Sequence, residues 1–283
     1  MQHNKLFVFD IETVPDGNVI PNLTGEKNED IKVLREALSK YHLEITGGKS
    51  DFPRQPFWKV VAISFLEADI HRNGRPGDED YQEYYTFKRL ESNRSDDEGE
   101  MVSKFFEYFD RSRPRLVSYN GRTFDVPVLK YRAMAYGVSS KWLHKGGDKW
   151  NSYNSRYSQD WHCDLLDALS DYGASARCKM NEVCSIMGFP GKFGVDGSKV
   201  TDMYDDGKID AIKQYCETDV LNTYLVYLRY QQHTGTLSLV DYNQAIEDIL
   251  EFIKTEKTEK PYLEEFREAW EESCGGNYII GDK

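Results

Sequence analysis

Three short segments carry side chains whose types and spacing suit chemistry. In Phe7-Val8-Phe9-Asp10-Ile11-Glu12-Thr13, an apolar run ends in two acids at i and i+2. A strand alternates its side chains, so both carboxylates point to one side. Like charges that close repel, and a divalent cation with oxygen ligands relieves the repulsion. The same pair is also compatible with two acids at an exposed strand end. In Ser118-Tyr119-Asn120-Gly121-Arg122-Thr123-Phe124-Asp125-Val126-Pro127, Asp125 follows a strand and an Asn-Gly turn and opens a helix. A carboxylate there caps the helix, binds a metal, or does both through its two oxygens. In Gln214-Tyr215-Cys216-Glu217-Thr218-Asp219, Tyr215 and Asp219 share a helix face one turn apart. That is either a core tyrosine beside a surface acid or a part of a site.

In their order along the chain, these segments resemble the three motifs of the DEDD exonuclease superfamily, which has a ribonuclease-H-like fold. Asp10 and Glu12 match D-x-E. Asn120, Gly121, Phe124 and Asp125 match N-G-x-x-F-D. Tyr215 and Asp219 match Y-x-x-x-D of the tyrosine subclass, and Gln214 stands where the histidine subclass has its histidine. The likeness spans about residues 5 to 231. It is closest to the predicted 3′→5′ exonucleases related to the proofreading domain of family B DNA polymerases, through Tyr172-Gly173-Ala174-Ser175 and the run Tyr215 to Tyr224.

The resemblance implies catalysis with two divalent cations, Mg²⁺ or Mn²⁺. Asp10 would bridge both, Glu12 and Asp219 would complete the first site, and Asp125 would hold the second ion through water. Tyr215 would orient the attacking water, since a phenol with a pKa near ~10 is a poor bulk base. Ile11 and Phe124 flank the acids and either wedge against the terminal base or belong to the core, Asn120 either touches the substrate or only makes the turn, and Thr13 joins them as a candidate substrate contact. The expected partner is the 3′ end of a nucleic acid, single-stranded DNA before RNA, and the expected product is a nucleoside 5′-monophosphate. An exoribonuclease using the same site and a non-catalytic nucleic-acid-binding module are the alternatives. A protein partner is also open.

Weaker candidates surround these. Asp164 and Asp167 suit a turn or cap, with metal ligation by Asp164 as the sharper option. Trp150, Tyr153, Tyr157 and Trp161 interleave with polar residues, as base-stacking or as packing groups. Asp202 to Gly207 fails as an EF-hand, because Tyr204 and Lys213 occupy ligand positions, and reads as a solvated loop at a helix start. Gly191 to Gly197 is a glycine-rich loop without a P-loop ending.

The elements that must position these groups follow from periodicity. Strands are predicted at 6–9, 60–66, 81–87 and 116–119, with a last one over 162–169 passing into a turn. Helices are predicted at 28–45, about 101–113, 126–136, 180–187 and 209–230, with tail helices near 239–253 and 262–272. Early strands and later helices give an α/β class: a ribonuclease-H-like mixed sheet flanked by helices, with residues 1–236 as the exonuclease domain and 237–283 as a helical C-terminal extension packed on it.

Bulk properties agree. The 283 residues are 39% hydrophobic and 30% charged, ample for a core. The net charge of −12 opposes phosphate binding unless cations and local clusters compensate. Arg111, Arg113 and Arg115, and Lys141, Lys145 and Lys149, are such clusters, or simply solvated faces. Five cysteines without a C-x-x-C pair suggest neither a disulfide framework nor a zinc site. With no signal peptide or membrane span in the pattern, no membrane partner and a cytoplasmic location are expected.

Overall fold

The first acidic pair lies on the central strand of the molecule. A computed structural model describes residues 3–192 and 197–281. Lys5–Pro15 forms β1, Trp58–Asn73 β2, Gln82–Ser92 β3, Arg115–Ser118 β4 and His162–Asp164 β5, in the spatial order β3-β2-β1-β4-β5. The β1–β2 and β2–β3 pairs are antiparallel, and β4 and β5 add in parallel. The helices are α1 (Ile20–Thr24), α2 (Ile31–Ile45), α3 (Glu98–Ser112), α4 (Asp125–Ala135), α5 (Lys141–Lys145), α6 (Leu165–Leu169), α7 (Met180–Met187), α8 (Val200–Asp205), α9 (Ile209–His233), α10 (Leu239–Glu256) and α11 (Tyr262–Cys274). This is the mixed sheet flanked by helices that the pattern predicts, in a ribonuclease-H-like arrangement.

The unbroken apolar run of β1 follows from its central place. Leu6 and Val8 enter a core shared with α7, α9, α10 and α11. Phe7, Phe9 and Ile11 enter a second core, under α3 and α4. A strand covered on both faces reads as continuous hydrophobicity rather than alternation. On the second face, Asp97 caps α3 by accepting from the Glu100 N–H at 2.8 Å, and Met101, Val102, Phe105, Phe106 and Phe109 form its buried stripe. On the first face, α9 is buried along most of its length from Tyr215 to Leu228, because the sheet lies on one side and the tail helices lie on the other. Ile246, Ile249, Ile253, Leu263, Phe266 and Trp270 of the tail belong to that same core.

Some predicted elements differ. Residues 162–169 are not one strand: β5 stops at Asp164, whose carboxylate accepts from the Leu166 N–H at 3.0 Å and caps α6. Residues 202–205 lie within helix α8 rather than a loop, and Asp205 pairs with Arg35 of α2 at 2.7 Å. Arg115 is no part of a solvated basic face. It is 4% exposed and paired with Glu83. Part of the glycine-rich loop, residues 193–196, lies outside the described residues. No helix among the described residues is long and apolar enough to cross a membrane.

Candidate active site

β1 pairs with β4 only over Leu6–Val8, while its pairing with β2 continues to Pro15. Asp10 and Glu12 therefore stand beyond the ends of the parallel strands, opposite Ser64 and Ala62 of β2. Ligands of open α/β sheets collect at such strand ends. The β1–β2 register shifts between Glu12 and Thr13, and Thr13 is not among the residues lining the cleft that opens there.

Asp125 reaches β1 from across the cleft. It is the first residue of α4, not its cap, since Phe124 holds the cap position without a side-chain bond. The freed Asp125 Oδ1 accepts from the backbone N–H of Ile11 at 3.2 Å, which ties the carboxylate to β1 at the residue that separates Asp10 from Glu12 in the chain. The preceding turn makes this approach possible. Asn120 adopts φ +71°, and a Cβ on Gly121 would stand 2.5 Å from Ser118 Oγ and 3.5 Å from Asp125 Oδ2. Asp164 braces the same turn, accepting from the N–H groups of Asn120 (2.9 Å) and Arg122 (2.8 Å). With its oxygens committed to backbone donors, Asp164 is a bracing group. Asp167 is likewise taken up by Arg156 and Arg177.

From the opposite side, α9 presents Tyr215, Cys216 and Asp219. Cys216 Sγ lies 3.7 Å from Asp10 Oδ2, and Asp10, Glu12 and Cys216 can each offer a ligand atom within 4.8 Å of the others. Lys192 Nζ lies 2.9 Å from Asp219 Oδ2 and donates to the Tyr215 hydroxyl. Asp219 Oδ1 is buried and has no hydrogen-bond partner among the described residues.

The electrostatics follow from this crowding. Burial, then the charges of Asp125, Glu12 and Asp219, push the Asp10 carboxyl well above its ordinary range. Burial and Asp219 do the same to Glu12, with Lys192 opposing. Burial raises Asp125 to about 7 against the N–H groups that hold it down. Asp219 is raised by burial despite the opposing effects of Lys192 and Tyr215. Burial, then Asp219, drives the Tyr215 phenol upward, so it stays a neutral donor. One lysine cannot balance four carboxylates. Divalent cations fit this donor set: hard oxygen ligands, uncompensated negative charge and an orphaned buried carboxylate oxygen on Asp219.

A cleft of about 740 Å³ collects these groups. Asp10, Glu12, Asp125, Tyr215 and Asp219 line it, with Ile11, Asn120 and Phe124. The four aromatics of the 150–161 segment are not in it. Tyr153 and Trp161 are buried in the second core, and Trp150 and Tyr157 are exposed elsewhere. Three cationic lining residues, Arg177, Lys179 and Lys192, were not singled out by sequence reasoning. They flank α7 in a stretch whose only local signals were a short helix and glycines, and their side chains join the acids only through tertiary packing.

A family model described as "Predicted 3'-5' exonuclease related to the exonuclease domain of PolB" matches residues 50–270. The match includes Asp125, Tyr215 and Asp219 and begins after β1, so Asp10 and Glu12 join the set through the fold. No curated protein matches the chain.

Proposed function

The chain belongs to this family of 3′→5′ exonucleases related to the exonuclease domain of PolB, and from that premise we propose that it removes nucleotides from the 3′ end of single-stranded DNA with two divalent cations, releasing nucleoside 5′-monophosphates. The observation that carries this reading is the cleft lined together by Asp10, Glu12, Asp125, Asp219 and Tyr215, in which the buried Asp219 Oδ1 has no hydrogen-bond partner among the described residues.

Asp10, Glu12 and Asp219 would hold one Mg²⁺ or Mn²⁺, and Asp10 with Asp125 the other. The bound cations would supply Lewis acidity toward the scissile phosphate and acidify the attacking water. The chain's own groups do the rest. Tyr215, neutral and anchored by Lys192, orients the water for in-line attack. Such positioning lowers the barrier by removing the entropy of encounter. Lys192 adds a fixed positive charge beside the phosphate oxygens, where charge concentrates during transfer. Arg177 and Lys179 neutralise phosphates further along the strand. Ile11 and Phe124 press on the terminal base, and Asn120 holds the turn that presents Asp125. In this reading residues 1–236 form the exonuclease domain and 237–283 a helical extension packed on it.

The test uses 5′-labelled single-stranded DNA and RNA of one sequence with Mg²⁺, Mn²⁺ or EDTA. A ladder that shortens from the 3′ end, is faster on DNA and is abolished by EDTA is the expected result. Faster shortening of RNA would replace DNA with RNA as substrate. Cleavage of neither polymer by the metal-loaded protein would overturn the reading.

A further inference from the structure

Beyond the cleft, the segment between α2 and β2 brings a bare aromatic ring to the substrate side. Phe52 is 58% exposed, although it is a large apolar side chain. Two tilted rings adjoin it. The centroid of Trp58 is 4.8 Å away and that of Phe124, which lines the cleft, is 6.1 Å away. The segment is also fixed. Trp58 Nε1 donates to the Pro53 carbonyl at 2.8 Å, and Gln55 Nε2 donates to the Thr123 carbonyl at 3.1 Å, beside Phe124. Among the described residues, the other strongly exposed aromatics, Trp150 and Tyr157, make no ring contact with a cleft-lining residue.

We propose that Phe52 is a base-stacking platform for the second nucleotide from the 3′ end of an unpaired strand. The proposal rests on the exonuclease reading and extends it. Phe124 stands at the cleft and meets the terminal base, so the ring one step outward receives the next. In that reading the cleft-lining cations Arg177, Lys179 and Lys192 take the phosphates, which leaves the bases for the aromatic groups. A base on Phe52 has a face free for stacking only when its strand is single, so the platform selects unpaired 3′ ends. Stacking on an aromatic side chain is tolerant of base identity, so the device discriminates structure rather than sequence.

The experiment is a binding cycle with the full chain in EDTA, where cleavage is blocked. Wild type, Phe52→Ala and Phe52→Trp are titrated with single-stranded DNA carrying 2-aminopurine as its second-last base, and with the same strand made abasic at that position. Wild type and Phe52→Trp should quench the fluorophore. Phe52→Ala should lose the quench and bind about 10-fold more weakly. On the abasic strand all three should bind alike. With metal restored, the loss in Phe52→Ala should fall on KM more than on kcat. Equal quenching and equal affinity for Phe52→Ala and wild type would overturn the platform and leave the exonuclease reading standing. Failure of wild type to bind either strand both in EDTA and with Ca²⁺ would overturn both. Because Phe52 is exposed, Phe52→Ala should melt at the wild-type temperature, and Phe52→Trp restores the ring if it does not.

Discussion

At the scale of single residues, Asp10 and Glu12 line the cleft together, as strand alternation requires of acids at i and i+2. That pair alone was equally compatible with an exposed strand end; the order of the three segments and their likeness to the exonuclease motifs pointed to a shared site. Lys192 was not readable. Its partners Asp219 and Tyr215 come to it only through the packing of the 191–192 turn on α9. The residues carry separate predictions. Asp10→Ala removes a carboxylate that repels its neighbours, so the metal-free variant should fold at least as well as the wild type, as read by thermal melting. Its exonuclease rate should fall on the order of 10³-fold or more, because several kcal/mol of transition-state stabilisation depend on that ligand. Full activity would remove Asp10 from the site. Tyr215→Phe keeps the ring under Lys192 and deletes only the hydroxyl. If Tyr215 orients water, kcat should drop by about 10²-fold while the Kd for DNA in EDTA stays within a factor of about two; an unchanged kcat would exclude that role.

At the scale of elements, strands and helices with strong periodicity were legible, including β1, α3 and α9. The 162–169 stretch was misread because its apolar run, Leu165-Leu166, serves a helix turn as well as a strand. Only the capping bonds of Asp164 decide between them. The turn before α4 is where local backbone meets chemistry. Gly121→Ala would put a methyl group 2.5 Å from Ser118 Oγ and 2.6 Å from Ser118 Cβ, and rotating the Ser118 hydroxyl relieves only the first of these. The turn must shift, and Asp125, whose Oδ2 lies 3.5 Å from the new methyl, is disturbed with it. The expected outcome is a stability loss of about 1–3 kcal/mol in urea unfolding with a disproportionate fall in kcat. An Ala variant with wild-type rate would mean that the turn tolerates the shift. At the other end of the sheet, Arg115 of β4 reaches across β1 and β2 to Glu83 of β3, with Nη1 and Nη2 each donating to one carboxylate oxygen. Burial alone would raise the Glu83 carboxyl, but Arg115, Tyr81 and Tyr85 hold it down at about 2. A carboxyl lowered on folding stabilises the protein above its unfolded pKa, and this stability is lost as pH falls toward the folded value. Between about pH 4.5 and 2 the wild type should lose on the order of 3 kcal/mol through this group. Glu83→Gln should be less stable at pH 7, because the buried Arg115 then keeps only the exposed Asp160 as an ion-pair partner, and should show a shallower acid dependence in chemical denaturation. An acid limb as steep in Glu83→Gln as in wild type would assign the loss to other carboxyls.

At the scale of the whole molecule, a net charge of −12 sets a protein against a polyanion. The distribution resolves the conflict. Much of the acid is spent internally, in pairs such as Glu83 with Arg115 and Asp167 with Arg156, or would be spent on cations at the floor of the cleft. The cleft itself offers Arg177, Lys179 and Lys192 as cations to a phosphate chain. Composition could not reveal this, because a total charge carries no position. The arrangement limits how strongly salt can act. Each phosphate neutralised on a single strand contributes about −0.7 to the slope of log K against log salt, so three contacts give a slope near −2. Affinity for a single-stranded oligonucleotide, measured with Ca²⁺ at several KCl concentrations, should therefore fall only about 15-fold between 50 and 200 mM. Lys179→Ala should reduce the slope by about 0.7. Its effect should be similar across sequences, as expected for a phosphate contact. A slope steeper than about −5 would require a strand path over basic surface outside the cleft, and would move most of the binding away from the Arg177–Lys192 wall.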